Sequence, residues 1–145
     1  MSKRTDIDRL HDEIKELVDE LWHLPRFAGG RRGFRPQVDC LRCEDPPELH
    51  VIVELPGVDP SELKVIAADR VLVVAGERHR PEVGGRYRQL EIEYGPFQRR
   101  IPLDEPIDAE AASARYEQGM LTVTLPIAAQ PAPVERVAIV IRGRA

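Results

Sequence analysis

The spacing of apolar side chains changes near Val38, and this change constrains the fold more than any other feature of the sequence. Before it, apolar residues recur at alternating intervals of three and four, which is the period of an α-helix. After it, they alternate with polar residues, as Leu49 and Val51 do on either side of His50. The chain is therefore predicted to consist of a helical N-terminal segment followed by an all-β domain.

The segment before Val38 predicts one amphipathic helix that ends at Pro25. A capping-box pattern from Thr5 to Asp8 opens it, and its apolar stripe follows a heptad over about two and a half repeats. A face this apolar needs a partner, which is either its own domain or another subunit or protein. The stripe consists of Ile7, Leu10, Ile14, Leu17, Leu21 and Leu24.

A linker is predicted between this helix and the β-domain. Residues 27–36 contain three glycines and isolated aromatics, with four arginines when Arg26 is counted, which is typical of flexible chain. Because the helix is tethered in this way, we favour docking of its stripe on other subunits or proteins. Arginines beside aromatics can also contact RNA, but so short a run is more typical of solvated chain.

The β-domain is divided into short segments by turn signals. Seven or eight strands without an intervening helical pattern predict an antiparallel β-sandwich. The last two strands are joined at Gln118-Gly119, which predicts a hairpin. The main segments are residues 48–55, 65–68, 71–75, 87–94, 97–103, 112–117 and 120–125.

The C-terminal segment predicts an extended tail. Pro131 and Pro133 disfavour regular structure, so the tail is expected to run away from the sandwich. A β-like apolar peptide follows, with no obvious partner in its own chain. Its alternate side chains are predicted to fill pockets at the sheet edge of another subunit. These tail-docking residues are Val137, Ile139 and Ile141.

Charge and hydropathy exclude several partners. The 21 Lys and Arg residues are outnumbered by 25 Asp and Glu residues, so no basic excess is available to neutralise nucleic acid. The longest uninterrupted apolar runs, Val71 to Ala75 and Val137 to Ile141, are far shorter than the roughly 18 residues of a membrane span. No apolar signal core follows the start of the chain. We therefore expect a cytoplasmic protein that neither binds nucleic acid nor spans a membrane.

The motifs of common enzyme classes are missing from the sequence. It contains no Gly-x-Ser-x-Gly elbow, no Gly-Lys-Ser/Thr phosphate loop and no Gly-x-Gly-x-x-Gly fingerprint. Serine hydrolases, P-loop nucleotide hydrolases and dinucleotide oxidoreductases thus lose their usual support. The prediction is that the protein is not an enzyme and uses no cofactor.

Cys40 and Cys43 have the Cys-x-x-Cys spacing of zinc and thiol redox sites. On a regular strand, however, such residues face opposite sides about 10 Å apart, beyond the roughly 7 Å limit for a disulfide. No second Cys-x-x-Cys or nearby His pair completes a zinc site, and the four histidines are scattered. We therefore predict no metal site and two structural cysteines, with a thiol or metal switch as the least favoured alternative.

Four short motifs occur in a recognisable order. Ala114–Leu121 is similar to Ala-x-x-x-Asn-Gly-Val-Leu, although Gln118 replaces Asn and Met120 replaces Val. The other three are Gly95–Arg99, similar to Gly-x-Phe-x-Arg; Leu55–Val58, a Leu-Pro-Gly turn; and Ile139–Ile141, an Ile-x-Ile motif. Together they resemble the motifs of the small heat-shock protein family, whose shared module is the α-crystallin domain, over about residues 36–145.

The resemblance implies an immunoglobulin-like sandwich at residues 36–126, preceded by a helix and linker at 1–35 and followed by a tail at 127–145. It also implies dimers that exchange a loop strand and larger homo-oligomers held by tails. The implied activity is ATP-independent binding of unfolding proteins, a holdase function under stress, with hand-off to ATP-driven refolding chaperones. A monomeric β-sandwich co-chaperone adaptor is the alternative.

Several candidate site residues follow. Arg99 shares a predicted apolar strand face with Phe97 and Ile101, where a charge is costly unless it is paired. The resemblance places Arg99, with Tyr87, in a dimer interface, and an intramolecular pair is the alternative. Apolar N-terminal residues are expected to bind clients or to be buried in the oligomer. They are Leu10, Ile14, Leu17, Leu21, Trp22, Phe27 and Phe34.

Overall fold

The computed structural model describes residues 33–130 and 136–143, together with Glu16. Within these residues, nine strands and two 3₁₀ segments, Pro60–Glu62 and Ala109–Ala111, follow one another. The strands are β1 Val38–Cys43, β2 Glu48–Glu54, β3 Lys64–Ala68, β4 Val71–Arg78, β5 Gly95–Pro102, β6 Ser113–Glu117, β7 Met120–Pro126, β8 Val137–Ala138 and β9 Ile141–Gly143.

The strands form two sheets that pack face to face. One sheet has the order β1-β2-β7-β6-β9 and the other the order β5-β4-β3-β8. All pairs are antiparallel except β6 with β9, which is parallel. The predicted all-β sandwich is confirmed.

The alternation in the sequence places the core. In β2, Leu49, Val51 and Val53 are buried while the intervening residues are partly exposed. The continuous apolar run in β4 is covered on both faces, as predicted. Leu72 and Val74 enter the main core, whereas Val73 belongs to a second, smaller cluster.

The packed domain includes Phe34, which the sequence had assigned to the linker. Phe34 is 9% exposed and meets Phe97 edge to face, with ring centroids 5.3 Å apart. The guanidinium of Arg78 lies 3.7 Å from the centre of the Phe34 ring. Packing against these side chains therefore extends the sandwich before residue 36.

The strand predicted at residues 87–94 is not formed. Residues 79–94 belong to no strand, and Tyr87, Leu90 and Ile92 are 55%, 60% and 61% exposed. Their apolar pattern suits a strand, but a strand also requires a neighbouring edge for hydrogen bonds. In the single chain this segment pairs with no such edge, so the prediction is wrong for the isolated subunit.

The predicted N-terminal helix falls outside the described residues, apart from Glu16, which is helical and exposed. The stripe residues, Trp22 and Phe27 also lie outside them. In the part of the chain that the structure describes, no helix has the length and hydropathy to cross a membrane.

Candidate assembly surfaces

The tail docks on the sandwich of its own chain. β8 pairs with β3, and the backbone amide of Ile139 donates to the carbonyl oxygen of Val65 over 2.8 Å. The Ile139 side chain joins the main core and is only 9% exposed, whereas the neighbouring Val140 is 80% exposed. The expectation that the tail runs away from the sandwich is therefore wrong in this structure.

The reason for this docking is the arrangement of the two sheets. β3 would be an edge of one sheet and β6 an edge of the other, and an exposed strand edge carries unpaired amide and carbonyl groups. The tail pairs with β3 through β8 and with β6 through β9. It therefore covers both edges on one side of the sandwich.

The parallel pairing of β9 depends on Gly143. Its φ is +147°, and a Cβ atom at this position would lie 1.9 Å from the carbonyl oxygen of Tyr116. No side chain fits such an approach. The tail and the neighbouring sheet also border a groove of about 810 Å³, whose lining includes His50, Thr122 and Thr124.

Arg99 lies on β5, an edge strand, between the buried residues Phe97 and Ile101 on the same face. Its Nη1 donates to the carbonyl oxygen of Pro36 over 2.6 Å. Burial, together with the nearby charge of Arg35, lowers the pKa of Arg99 below its ordinary value. Within the described ranges no carboxylate forms an ion pair with Arg99. Some of its five N–H donors therefore stay available to an acceptor on another molecule.

Arg78 of β4 holds the loop at residues 79–94, and Arg80 packs on aromatic rings within the loop itself. Arg78 Nε donates to the carbonyl oxygen of Glu93 over 3.0 Å. The guanidinium of Arg80 lies 4.5 Å from the centre of the Tyr94 ring and 5.1 Å from that of Tyr87, which are cation–π distances. Arg78 thus ties the loop to the sandwich, while most of the loop's apolar side chains face outward.

The two cysteines lie on opposite faces of β1, as the spacing predicted. Cys40 is opposite Val51 on β2, whereas Cys43 is opposite Glu48. Both thiols are free. Partial burial of the Cys40 thiol raises its pKa, and the nearby charge of Asp104 contributes to the same shift. Over residues 33–130 and 136–143, no three His, Cys, Asp or Glu side chains are grouped as metal ligands would be.

Sequence reasoning missed one neighbour of these thiols. Cys43 Sγ lies 3.7 Å from His50 Nδ1. The signal was present in the hairpin formed by β1 and β2, because its register decides which residues of the two strands share a face. The wide spacing of the histidines along the chain conceals this contact, because proximity across a hairpin depends on register and not on spacing.

The comparisons with known proteins agree with one another. Residues 42–141 match the model of the Hsp20/alpha crystallin family. The chain is 38% identical over 93 residues to a 19.0 kDa class II heat shock protein of Oryza sativa subsp. japonica, covering 59% of this chain and 53% of that protein. It is 27% identical over 128 residues to small heat shock protein C2 of Rickettsia felis, covering 87% and 80%. The match thus spans about half the length of the rice relative.

Solved structures show the same similarity. Heat shock protein 16.0 from Schizosaccharomyces pombe superposes with a TM-score of 0.60 at 30% identity, covering 70% of this chain and 94% of that one. A small heat-shock protein from Xylella fastidiosa gives a TM-score of 0.57 at 29% identity, covering 69% and 92%.

Proposed function

The chain belongs to the Hsp20/alpha crystallin family, and from this premise we propose that it is a holdase, an ATP-independent chaperone that binds unfolding proteins and prevents their aggregation under stress. No catalytic step belongs to this function. The bound proteins pass to ATP-driven refolding chaperones. We place the activity in the cytoplasm, since both cysteines are free thiols, which suits a reducing compartment.

The observation that supports the proposal is the docking of Ile139 on β3. An extended apolar peptide is held there by strand pairing to β3 and by burial of one side chain. These contacts use backbone groups and an aliphatic side chain, which a second copy of the tail also possesses. We therefore infer that tails exchange between subunits and join them into larger particles.

We propose that two subunits form a dimer by strand exchange at the opposite side of the sandwich. β1 is an edge strand of the five-stranded sheet, and residues 79–94 form no strand of their own. In our proposal the segment around Leu90 and Ile92 pairs with β1 of a second copy. Tyr87 then enters the interface, and Arg99 meets a carboxylate of the partner subunit.

The N-terminal segment supplies further apolar surface in this proposal. Its stripe, with Trp22 and Phe27, contacts clients or other subunits according to the state of assembly. Phe34 is different, because it packs in the core of its own chain. It contacts clients only if that part of the sandwich opens.

Light scattering of a heat-unfolding enzyme tests the holdase function. We expect the full chain to suppress aggregation without ATP and in a roughly stoichiometric manner. Aggregation that is unchanged at an equimolar amount, or protection that requires ATP, would contradict the proposal. A native mass measurement separates the co-chaperone adaptor, which is monomeric, from a holdase built of many subunits.

A further inference from the structure

The hairpin formed by β1 and β2 brings a thiol, an imidazole and a carboxylate to one face of the sheet. Cys43 is directly opposite Glu48, and His50 follows two residues later on β2. Side chains two apart on a strand share a face, so all three point away from the core. The buried residues Leu49 and Val51 point the other way.

The three side chains form a continuous relay. Cys43 Sγ lies 3.7 Å from Nδ1 of His50, and Nε2 of the same ring lies 2.7 Å from Glu48 Oε1. The imidazole and carboxylate side chains are 28% and 20% exposed, and Cys43 is partly exposed. A nucleophile beside a base that a third group orients is the arrangement that activates thiols.

We propose that Cys43 is a modification site that reacts with hydroperoxides, with His50 as its base. The thiol proton moves to Nδ1 of His50, and the sulfur attacks the distal peroxide oxygen. The S–O bond forms as the O–O bond breaks, and the leaving alkoxide or hydroxide takes the proton back from the imidazole. Sulfur is oxidised by two electrons to a sulfenic acid, and the peroxide is reduced to an alcohol or water. Glu48 holds the ring in position throughout.

Cys40 provides an internal comparison three residues away. It is the more exposed of the two thiols, so exposure alone predicts that it reacts faster. Its surroundings instead disfavour the thiolate, because partial burial of the thiol and the charge of Asp104 both raise its pKa. Since the two cysteines face opposite sides of β1, the sulfenic acid of Cys43 has no intramolecular thiol to condense with and stays available for trapping.

The test uses the full chain in two single-thiol forms, Cys40→Ser and Cys43→Ser. Each is treated with hydrogen peroxide at neutral pH in the presence of dimedone, and the adduct is followed by intact-mass spectrometry. We expect the form that retains Cys43 to gain the adduct roughly tenfold faster than the form that retains Cys40. Equal rates, or faster labelling of Cys40, would overturn the proposal.

Two further variants identify the base. In the Cys40→Ser background, His50→Gln should lower the labelling rate to that of Cys40, and Glu48→Gln should lower it by a smaller factor. Loss of the hairpin would expose Cys43 and raise the rate, so the direction of the change separates a chemical role from a structural one. An unchanged rate in both variants would contradict the assignment of His50. None of these readouts depends on chaperone activity, so the site and the proposed function are tested separately.

Discussion

Tyr116 donates its hydroxyl hydrogen to the carbonyl oxygen of Leu55 over 2.7 Å, in the interior of the sandwich. The amide of Leu55 in turn donates to the carbonyl oxygen of Gly119 over 2.8 Å. These bonds join two motifs whose paired residues, Leu55 and Tyr116, lie 61 positions apart in the sequence. At Gly119, where φ is +77°, a Cβ atom would lie 3.0 Å from Cα of Pro56, so glycine permits the close contact.

Replacing Tyr116 with phenylalanine should destabilise the domain by about 1–2 kcal/mol. The ring still fills its place, but the carbonyl oxygen of Leu55 loses its buried donor. Urea denaturation measures the difference. Tyr94→Phe is the matched control, because that side chain is partly exposed and its ring contacts with Arg78 and Arg80 do not need the hydroxyl group. Its stability should stay within about 0.5 kcal/mol of the original. Equal midpoints for the two variants would show that the hydrogen bond contributes nothing.

Replacing Ile139 and Ile141 with alanine should release the tail and reduce large particles to dimers. Truncating Ile139 alone removes a buried side chain, a loss of about 2–3 kcal/mol per tail contact. Multi-angle light scattering reports the particle mass. Val140→Ala is the control, because Val140 is 80% exposed and should leave the mass unchanged. A particle of unaltered mass in the double variant would show that the tail does not hold subunits together.

Replacing Arg99 with alanine should weaken the dimer. If a partner carboxylate is left buried and unpaired, the loss is about 3 kcal/mol, or more than roughly a hundredfold in Kd. Arg99→Lys keeps the charge but loses the planar fork, so it should weaken the dimer by a smaller factor. Sedimentation of diluted protein measures the dissociation constant. A wild-type Kd for Arg99→Ala would mean that Arg99 lies outside the interface.

Two N-terminal deletions separate assembly from folding. Removing residues 1–32 deletes the apolar stripe and should abolish large assemblies and most client protection while the sandwich stays folded. Removing residues 1–35 also deletes Phe34, whose ring packs against Phe97, so this form should be less stable by about 3 kcal/mol. Urea denaturation and the aggregation assay measure the two effects. Full protection by the shorter deletion would show that clients bind the β-domain.

Elements with a local cause were predictable from sequence. The alternation of apolar and polar residues in β2 predicts its buried face, because adjacent side chains on a strand point to opposite sides. The hairpin turn was also predictable, and the structure gives Gln118 and Gly119 positive φ values of 52° and 77°, as a tight two-residue turn requires. The opposite facing of Cys40 and Cys43 follows from the same alternation.

Elements that depend on a partner distant in the chain were not predictable from the sequence. The segment at residues 87–94 has the pattern of a strand but pairs with none in the single chain, whereas the tail, expected to be free, pairs with two. The packing of Phe34 against Phe97 was not predictable either, because it joins residues far apart in the chain.

The sequence by itself determined the class of fold, the inward faces of its strands and the turns between them, because these follow from side-chain alternation and backbone preference over a few residues. Only the tertiary structure decided where the tail docks and that His50 lies beside Cys43. The physical reason is that strand pairing and side-chain proximity depend on which edges and registers remain once the sheets have formed. In the tail, the free edge is β3, and the hydrogen bond from the amide of Ile139 to the carbonyl oxygen of Val65 forms there.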